Sequence, residues 1–313
     1  MAAATMPPAA LLSELEPVVA RLLERHLIQA KEWFPHQLVP YSQGQDFDEG
    51  YEWSPEETEL PDTVRSALFV NLLTEDNLPY YFRAIEATFG RHEAWGEWNR
   101  RWTAEEGRHS IVIRDYLTVT RAVDPVALER ARMAQVSTGQ VPEPELPHDV
   151  LVYVALQELA TRIAHHNTGK HVDGVGYEVM KRVASDENRH HLFYRDLAAA
   201  ALELDPSGMV LAIERQVRDF EMPGTGIVDF ETHARAIAKA GIYDFTIHHG
   251  QILVPVVLRH WGVEDVTGLS DEAEEARDAL LTRIDRIGKA GRRQARKRLE
   301  AEAALVDRVP EPV

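Results

Sequence analysis

The 313-residue sequence contains no cysteine. It can therefore form no disulfide, hold no iron–sulfur cluster on its own thiolates and use no thiol nucleophile, which fits a reducing compartment. It also lacks any run approaching the ~18 consecutive apolar residues that a membrane-spanning helix requires. Bases are scarce: 34 Lys and Arg stand against 51 Asp and Glu, for a net charge of −17. Such a surface repels polyanions and argues against nucleic acid and anionic membrane as partners. Met1 to Leu12 has neither Lys nor Arg, against a signal or transit peptide, so the expected location is cytoplasmic. No alternating apolar–polar pattern persists, which leaves the all-α class.

Helical periodicity is what the sequence does have. Leu11 to Gln29 is amphipathic. Lys31 to Pro61 carries prolines at 35, 40, 55 and 61 and reads as an extended surface arm. Helix returns from Asp62 past Glu86, with Pro79 expected to kink it, and runs again from His92 to Thr120, where Trp95, Trp98 and Trp102 form an apolar stripe. Further helices are expected from Asp124-Pro125 to Ser137, Val150 to Thr168, Tyr177 to Leu204, Ser207 to Phe220, Glu231 to Phe245 and His249 to Trp261. A charged helix from Asp271 to Leu305 is interrupted only by Gly288 and Gly291. The expected organisation is a single domain over 1–313. It comprises a first helix and arm (1–61), a bundle (62–204), accessory helices (205–262) and a charged C-terminal helix (263–313).

Two stretches inside the bundle carry chemistry: Glu105-Glu106-Gly107-Arg108-His109 and Asp186-Glu187-Asn188-Arg189-His190. Each holds a Glu-x-x-His pair, and on a helix residues three apart share a face. Glu75 lies 31 residues before Glu106, and Glu158 lies 29 before Glu187, so each half repeats a lone-Glu helix followed by a Glu-x-x-His helix. A longer, proline-containing link joins the halves. This is the pattern of a ferritin-like four-helix bundle with one long crossover and additional helices. Four carboxylates and two imidazoles would balance two divalent ions, and mostly hard oxygen donors suit iron or manganese better than zinc or copper. Without metal, four converging carboxylates would repel one another. A third pair, Glu145-Leu-Pro-His148, is rejected because its prolines deny it a helix. Arg108 and Arg189 fit either ion pairs flanking the site or plain surface charge.

The letters around these residues resemble a family. Trp102-Thr103-Ala104-Glu105-Glu106-x-Arg108-His109 and Asp186-Glu187-x-Arg189-His190 resemble the two signatures of the soluble acyl-acyl-carrier-protein (acyl-ACP) desaturases of plant plastids and bacteria. Thr74-Glu75-Asp76-x-Leu78-Pro79 and Gln157-Glu158-x-Ala160-Thr161 match the two lone-Glu helices. The resemblance covers roughly Leu12 to Trp261. It implies a diiron centre on Glu75, Glu106, His109, Glu158, Glu187 and His190, and an electron route through Trp33 and Asp186 to His109. It also implies Thr161 at the oxygen-binding face, His165 behind the ligands, and a homodimer. Gly107 stands where the family usually has Asn, and Ser110 where it has Gly, which bears on rate or substrate scope rather than on metal binding.

The expected activity is insertion of a cis double bond into a saturated acyl chain on an acyl carrier protein, using O2. With no cysteine and no nucleotide-binding loop, both electrons must come from outside, from a ferredoxin or similar donor. Two other readings share the metal site: oxygenation or N-oxidation of another carrier-bound substrate, and a metal-binding relative without turnover. A carrier protein is acidic, as is this chain. Residues 283–298 hold eight bases and one acid, leaving 26 bases and 50 acids elsewhere. Arg292, Arg293 and Arg296 fit either a carrier-docking surface or a solvated helix face.

Overall fold

A computed structural model describes residues 5–142, 144–172, 174–224 and 226–306, without the side chains of 298 and 301–306. The outermost residues of the expected first and last segments, 1–4 and 307–313, lie outside the described residues. The described residues form helices and turns and no strand, as the patterning implied.

Helix α1 (Pro8–Gln29) buries Leu11, Leu15, Val19, Leu22, Leu23 and His26 along one face. The arm after it is not purely extended: short 3-10 turns occur at Pro35–Gln37, Tyr41–Gln43 and Pro55–Glu57. Pro79 does not kink a continuous helix. The chain breaks at Asp76-Asn77 between α2 (Asp62–Glu75) and α3 (Leu78–Phe89), where Pro79 takes the second helical position, whose N–H has no intrahelical partner to lose. The break is held from α5 (Pro125–Thr138): Arg132 chelates Asp76 at 2.7 and 3.0 Å, and Gln135 donates to Asn77 Oδ1 at 2.6 Å.

Helices α4 (Glu93–Val119), α6 (Pro147–Gly169) and α7 (Val175–Leu204) join α2 in a ring, in which each of the four packs on two others. Trp95, Trp98 and Trp102 lie in the core, and Trp98 stacks on Phe193 at 3.5 Å. Helix α6 is buried nearly all round, and its stretch from Val150 to Leu156 carries no charged residue. Outside the ring lie α8 (Pro206–Arg218) and α9 (Phe230–Lys239), the latter ending six residues before the expected Phe245. A short turn, α10 (Phe245–Ile247), leads into a π-type helix over His248–His260 that contains Pro255. The final helix, α11 (Asp271–Val306), is continuous through Gly288 and Gly291. Those glycines are close-approach positions rather than breaks: a Cβ at Gly288 would sit 2.6 Å from His249 Nε2, and one at Gly291 2.9 Å from the Thr246 backbone N. No helix among the described residues is long and apolar enough to cross a membrane.

Candidate metal centre

The four helices of the ring each bring one carboxylate inward: Glu75 from α2, Glu106 from α4, Glu158 from α6 and Glu187 from α7. His109 and His190 stand one turn beyond the latter acids of their helices, on α4 and α7 respectively. All six are nearly or wholly buried. Their atoms form two overlapping groups, Glu75–Glu106–His109–Glu187 and Glu106–Glu158–Glu187–His190, each with ligand atoms within 4.8 Å of one another. Glu106 and Glu187 belong to both groups.

The imidazoles present the same nitrogen to the centre. His109 Nδ1 lies 3.1 Å from Glu106 Oε2 and 3.1 Å from Glu187 Oε1. His190 Nδ1 lies 2.6 Å from Glu106 Oε1 and 3.7 Å from Glu158 Oε2. Their Nε2 atoms face outward, to Asp186 Oδ2 at 3.5 Å and to Glu105 Oε2 at 2.9 Å. A carboxylate that accepts Nε2–H leaves the Nδ1 lone pair free for a metal. Glu106 Oε1, Glu158 Oε2 and His190 Nδ1 are buried without a well-aligned hydrogen bond, although Glu106 Oε1 and His190 Nδ1 lie only 2.6 Å apart, a crowding that a cation between them would relieve.

Ionisation reflects the same crowding. Burial, then the charges of Glu187 and Glu106, push Glu158 well above the usual carboxylate range, and burial and Glu187 raise Glu106. Burial would raise Glu75 and Glu187 too, but hydrogen bonds from His109, and from His165 onto Glu75, outweigh it and lower both. Against its own burial, His190 is held up to about 10 by Glu106 and Glu105. In the metal-free protein, protons thus supply the positive charge, and metal uptake must displace them.

Three cavities share lining residues here. A pocket of about 20 Å³ touches Glu75, Glu106, Glu158 and Glu187 directly. It shares Tyr81, Trp102 and Gln157 with a cavity of about 580 Å³ walled by α1, α3 and α6. On the other side it shares Thr74 and Thr161 with a cavity of about 470 Å³ reaching α8, α9, the π-type helix and α11. Both larger cavities are mainly apolar.

A family model described as fatty acid desaturase matches residues 8–308. The chain belongs to the fatty acid desaturase family. It is 42% identical over 281 residues to the Mycobacterium tuberculosis protein provisionally named acyl-ACP desaturase DesA1, covering 86% of this chain and 83% of that one. It is 30% identical over 288 residues to rice (Oryza sativa) stearoyl-ACP 9-desaturase 2, covering 85% of this chain and 72% of the relative. The X-ray structure of M. tuberculosis DesA2 superposes with a TM-score of 0.70 at 30% identity, covering 83% of this chain and 97% of that one.

The residues flanking the desaturase's six-residue cluster are also assembled. Trp33 Nε1 donates to Asp186 Oδ2 at 2.8 Å, and the indole stacks 6.3 Å from His109. Arg108 and Arg189 are not plain surface charge: both pair with Asp186, and Arg108 also lies 4.8 Å over the Trp33 ring. His165 Nε2 donates to Glu75 Oε1 at 2.8 Å, and Thr161 Oγ1 donates to Glu187 Oε2 at 2.9 Å. Arg292, Arg293 and Arg296 are exposed on α11, away from the cluster. Glu145 precedes α6 rather than lying in it, and His148 bonds Asp205 at 3.1 Å, so that third pair forms no site.

Sequence reading missed two contributors, Glu105 and His26. Glu105 Oε2 accepts from both His26 Nε2 and His190 Nε2 at 2.9 Å, and Arg101 pairs with its other oxygen at 2.6 Å. The signal was present, since an acid precedes the shared Glu in both signatures. At Gly107 an added Cβ would meet only Leu78 Cδ2, at 3.9 Å. Gly107→Ala should therefore raise stability by about 0.5–1 kcal/mol, read as a small rise in Tm with unchanged metal content.

The second cavity carries a titratable wall. Tyr243 Oη lies 2.9 Å from His248 Nδ1, and burial, with a smaller effect of His249, lowers His248 to about 4. A depressed histidine contributes stability that is present above its unfolded value near 6.5 and lost as pH falls from there towards 4. Between pH 7 and 4.5, His248→Gln should lose about 2 kcal/mol less stability than the parent, measured by denaturant unfolding.

Proposed function

We propose that this chain is an acyl-ACP desaturase that places one cis double bond in a saturated acyl chain. The observation that carries this reading is the pair of apolar cavities that flank the carboxylate cluster, each sharing lining residues with the small pocket at its carboxylates. A long saturated chain needs apolar space on both sides of its reacting carbons. A compact substrate for oxygenation or N-oxidation needs one short pocket with polar contacts.

Glu75, Glu106, His109, Glu158, Glu187 and His190 would hold two iron ions, whose four positive charges in the ferrous state match the four carboxylates. Iron bound there supplies the activation of O2. Two electrons and two protons come from the C–H bonds of neighbouring methylenes, and two electrons from the donor with two further protons from solvent complete the reduction of O2 to two waters. The chain's own residues do the rest. The cavity walls align the methylenes and exclude water. Thr161 holds a proton at Oγ1 on the cavity side of Glu187. His165 fixes Glu75, and Arg108 and Arg189 fix Asp186. Trp33, Asp186 and His109 form a continuous path from the arm to the ligands. It suits electrons arriving from a ferredoxin or a similar one-electron donor, because the cysteine-free chain can hold no iron–sulfur centre of its own. The resemblance further suggests a homodimer, which light scattering would show as twice the chain mass.

The second cavity is the better end for the carrier. Arg218 and Arg283 line it, whereas among the described residues no Lys or Arg lines the first. Arg283 lies on the helix that carries exposed Arg292, Arg293 and Arg296, so an acidic carrier docked there would have its acyl arm beside the mouth. Charge reversal of those three arginines to Glu should raise KM for the acyl carrier at least tenfold at low salt and leave kcat unchanged. An unchanged KM would remove α11 from the docking surface.

The test of the activity is incubation of the iron-loaded protein with reduced ferredoxin, O2 and a series of saturated acyl carriers, with mass analysis of the released chains. A product two mass units lighter supports desaturation. A hydroxylated chain favours the oxygenase reading, and no consumption by a metal-loaded protein favours a relative without turnover.

A further inference from the structure

We infer that the two metal positions are unequal, and that a His26–Glu105 arm makes the His190 half the tighter one. This rests on the reading of the cluster as a dinuclear metal site. The centre has approximate two-fold character, and each imidazole is backed by an acid reached from the N-terminal segment. The two arms differ in chemistry. On one side His26 Nε2 and His190 Nε2 both donate to Glu105 Oε2 at 2.9 Å, and the three side chains are at most 3% exposed. Trp98 packs edge-on against His26 at 5.0 Å, which fixes the ring. On the other side Asp186 stands 3.5 Å from His109 Nε2, and its charge is already shared among the Trp33 indole, Arg108 and Arg189. Glu105 is shared as well, with His26 and with Arg101 at 2.6 Å, so the contrast lies in contact length and in the fixing of the acceptor by His26. A shorter carboxylate contact, held in place, makes an imidazole the stronger donor at its other nitrogen.

The outer carboxylates differ in the same direction. His165 Nε2 donates to Glu75 Oε1 at 2.8 Å, whereas Glu158 Oε1 takes a longer 3.0 Å bond from the Trp102 indole. The closer hydrogen bond on Glu75 draws more charge from the His109-side position. Both asymmetries therefore favour the ion held by Glu158 and His190, with Glu106 and Glu187 common to both positions.

His26 is a positioning residue here, since it acts on the metal only through Glu105 and His190. The experiment is anomalous diffraction from crystals of the full chain supplied with one equivalent of Mn2+, together with a calorimetric Mn2+ titration in solution. The parent should show the stronger anomalous peak between Glu158 and His190, and two binding steps. His26→Phe, which removes the donor but keeps an aromatic ring, should weaken the first step at least tenfold and shift occupancy towards Glu75 and His109. His26→Gln, which keeps a donor, should restore the parental order. A purely structural role for His26 would lower thermal stability without moving the peak. Equal peaks in the parent, or an order unchanged by His26→Phe in a folded protein, would overturn the inference. A parent that binds no metal would overturn the underlying metal reading as well.

Discussion

Glu187→Ala and Glu106→Ala are each expected to remove both metal ions, not one, and to bring product formation to background. Each residue belongs to both four-residue groups, so neither position keeps its full ligand set. The outer ligands give the contrast: Glu75→Ala should empty one position more than the other. Loss of function should not come with loss of fold. In the metal-free chain Glu187 raises Glu106 and Glu158 by charge, so its removal relieves repulsion in a buried cluster. The thermal midpoint of metal-free Glu187→Ala should match or exceed that of the metal-free parent, and metal analysis should find less than a tenth of the parental content. Parental metal content in either variant would contradict the ligand assignment.

Asp186→Ala, one residue away, should do the reverse. Asp186 is fully buried and accepts from Trp33 at 2.8 Å while pairing with Arg108 and Arg189. Although burial opposes it, His109 and Arg189 together with the Trp33 hydrogen bond hold its carboxyl down to about 2. Removing one partner from such a network leaves two part-buried guanidiniums uncompensated, a loss of about 3–5 kcal/mol. Thermal unfolding should fall by roughly 5–10 °C. Metal should still bind, since no first ligand is lost, but turnover with an external donor should drop as the path from Trp33 is cut. The sign of the pH dependence follows: a depressed carboxyl stabilises above its unfolded value of 3.8 and loses that contribution as pH falls towards 2. The parent's advantage over Asp186→Ala should therefore be constant at neutral pH and shrink below about pH 4.

These neighbours show which parts of the molecule were legible in its letters. The six cluster residues were readable because helical spacing fixes which side chains share a face, and because the pattern occurs twice. Most of the helices were found to within a few residues for the same reason, although α9 ends six residues before the expected Phe245. What depends on contacts between distant segments was not readable. Pro79 suggested a kink, but the break at Asp76-Asn77 is held by Arg132 and Gln135 from another helix. Gly288 and Gly291 looked like interruptions, yet they let α11 approach His249 and Thr246. Glu105 and His26 lie 79 residues apart, and their pairing needs the packing of α1 across α4 and α7. The cavities are further still from the sequence, since each is lined from several helices at once.

The proposed activity requires a saturated chain lying across the carboxylate cluster from one cavity to the other. The most direct measurement is a crystal structure of the metal-loaded protein with a bound long-chain acyl carrier. Continuous acyl density should run from the mouth beside Arg218 and Arg283, past Thr161 and the cluster, into the cavity beyond Tyr81 and Trp102. Density confined to one cavity, with the pocket at the carboxylates closed to the chain, would contradict it.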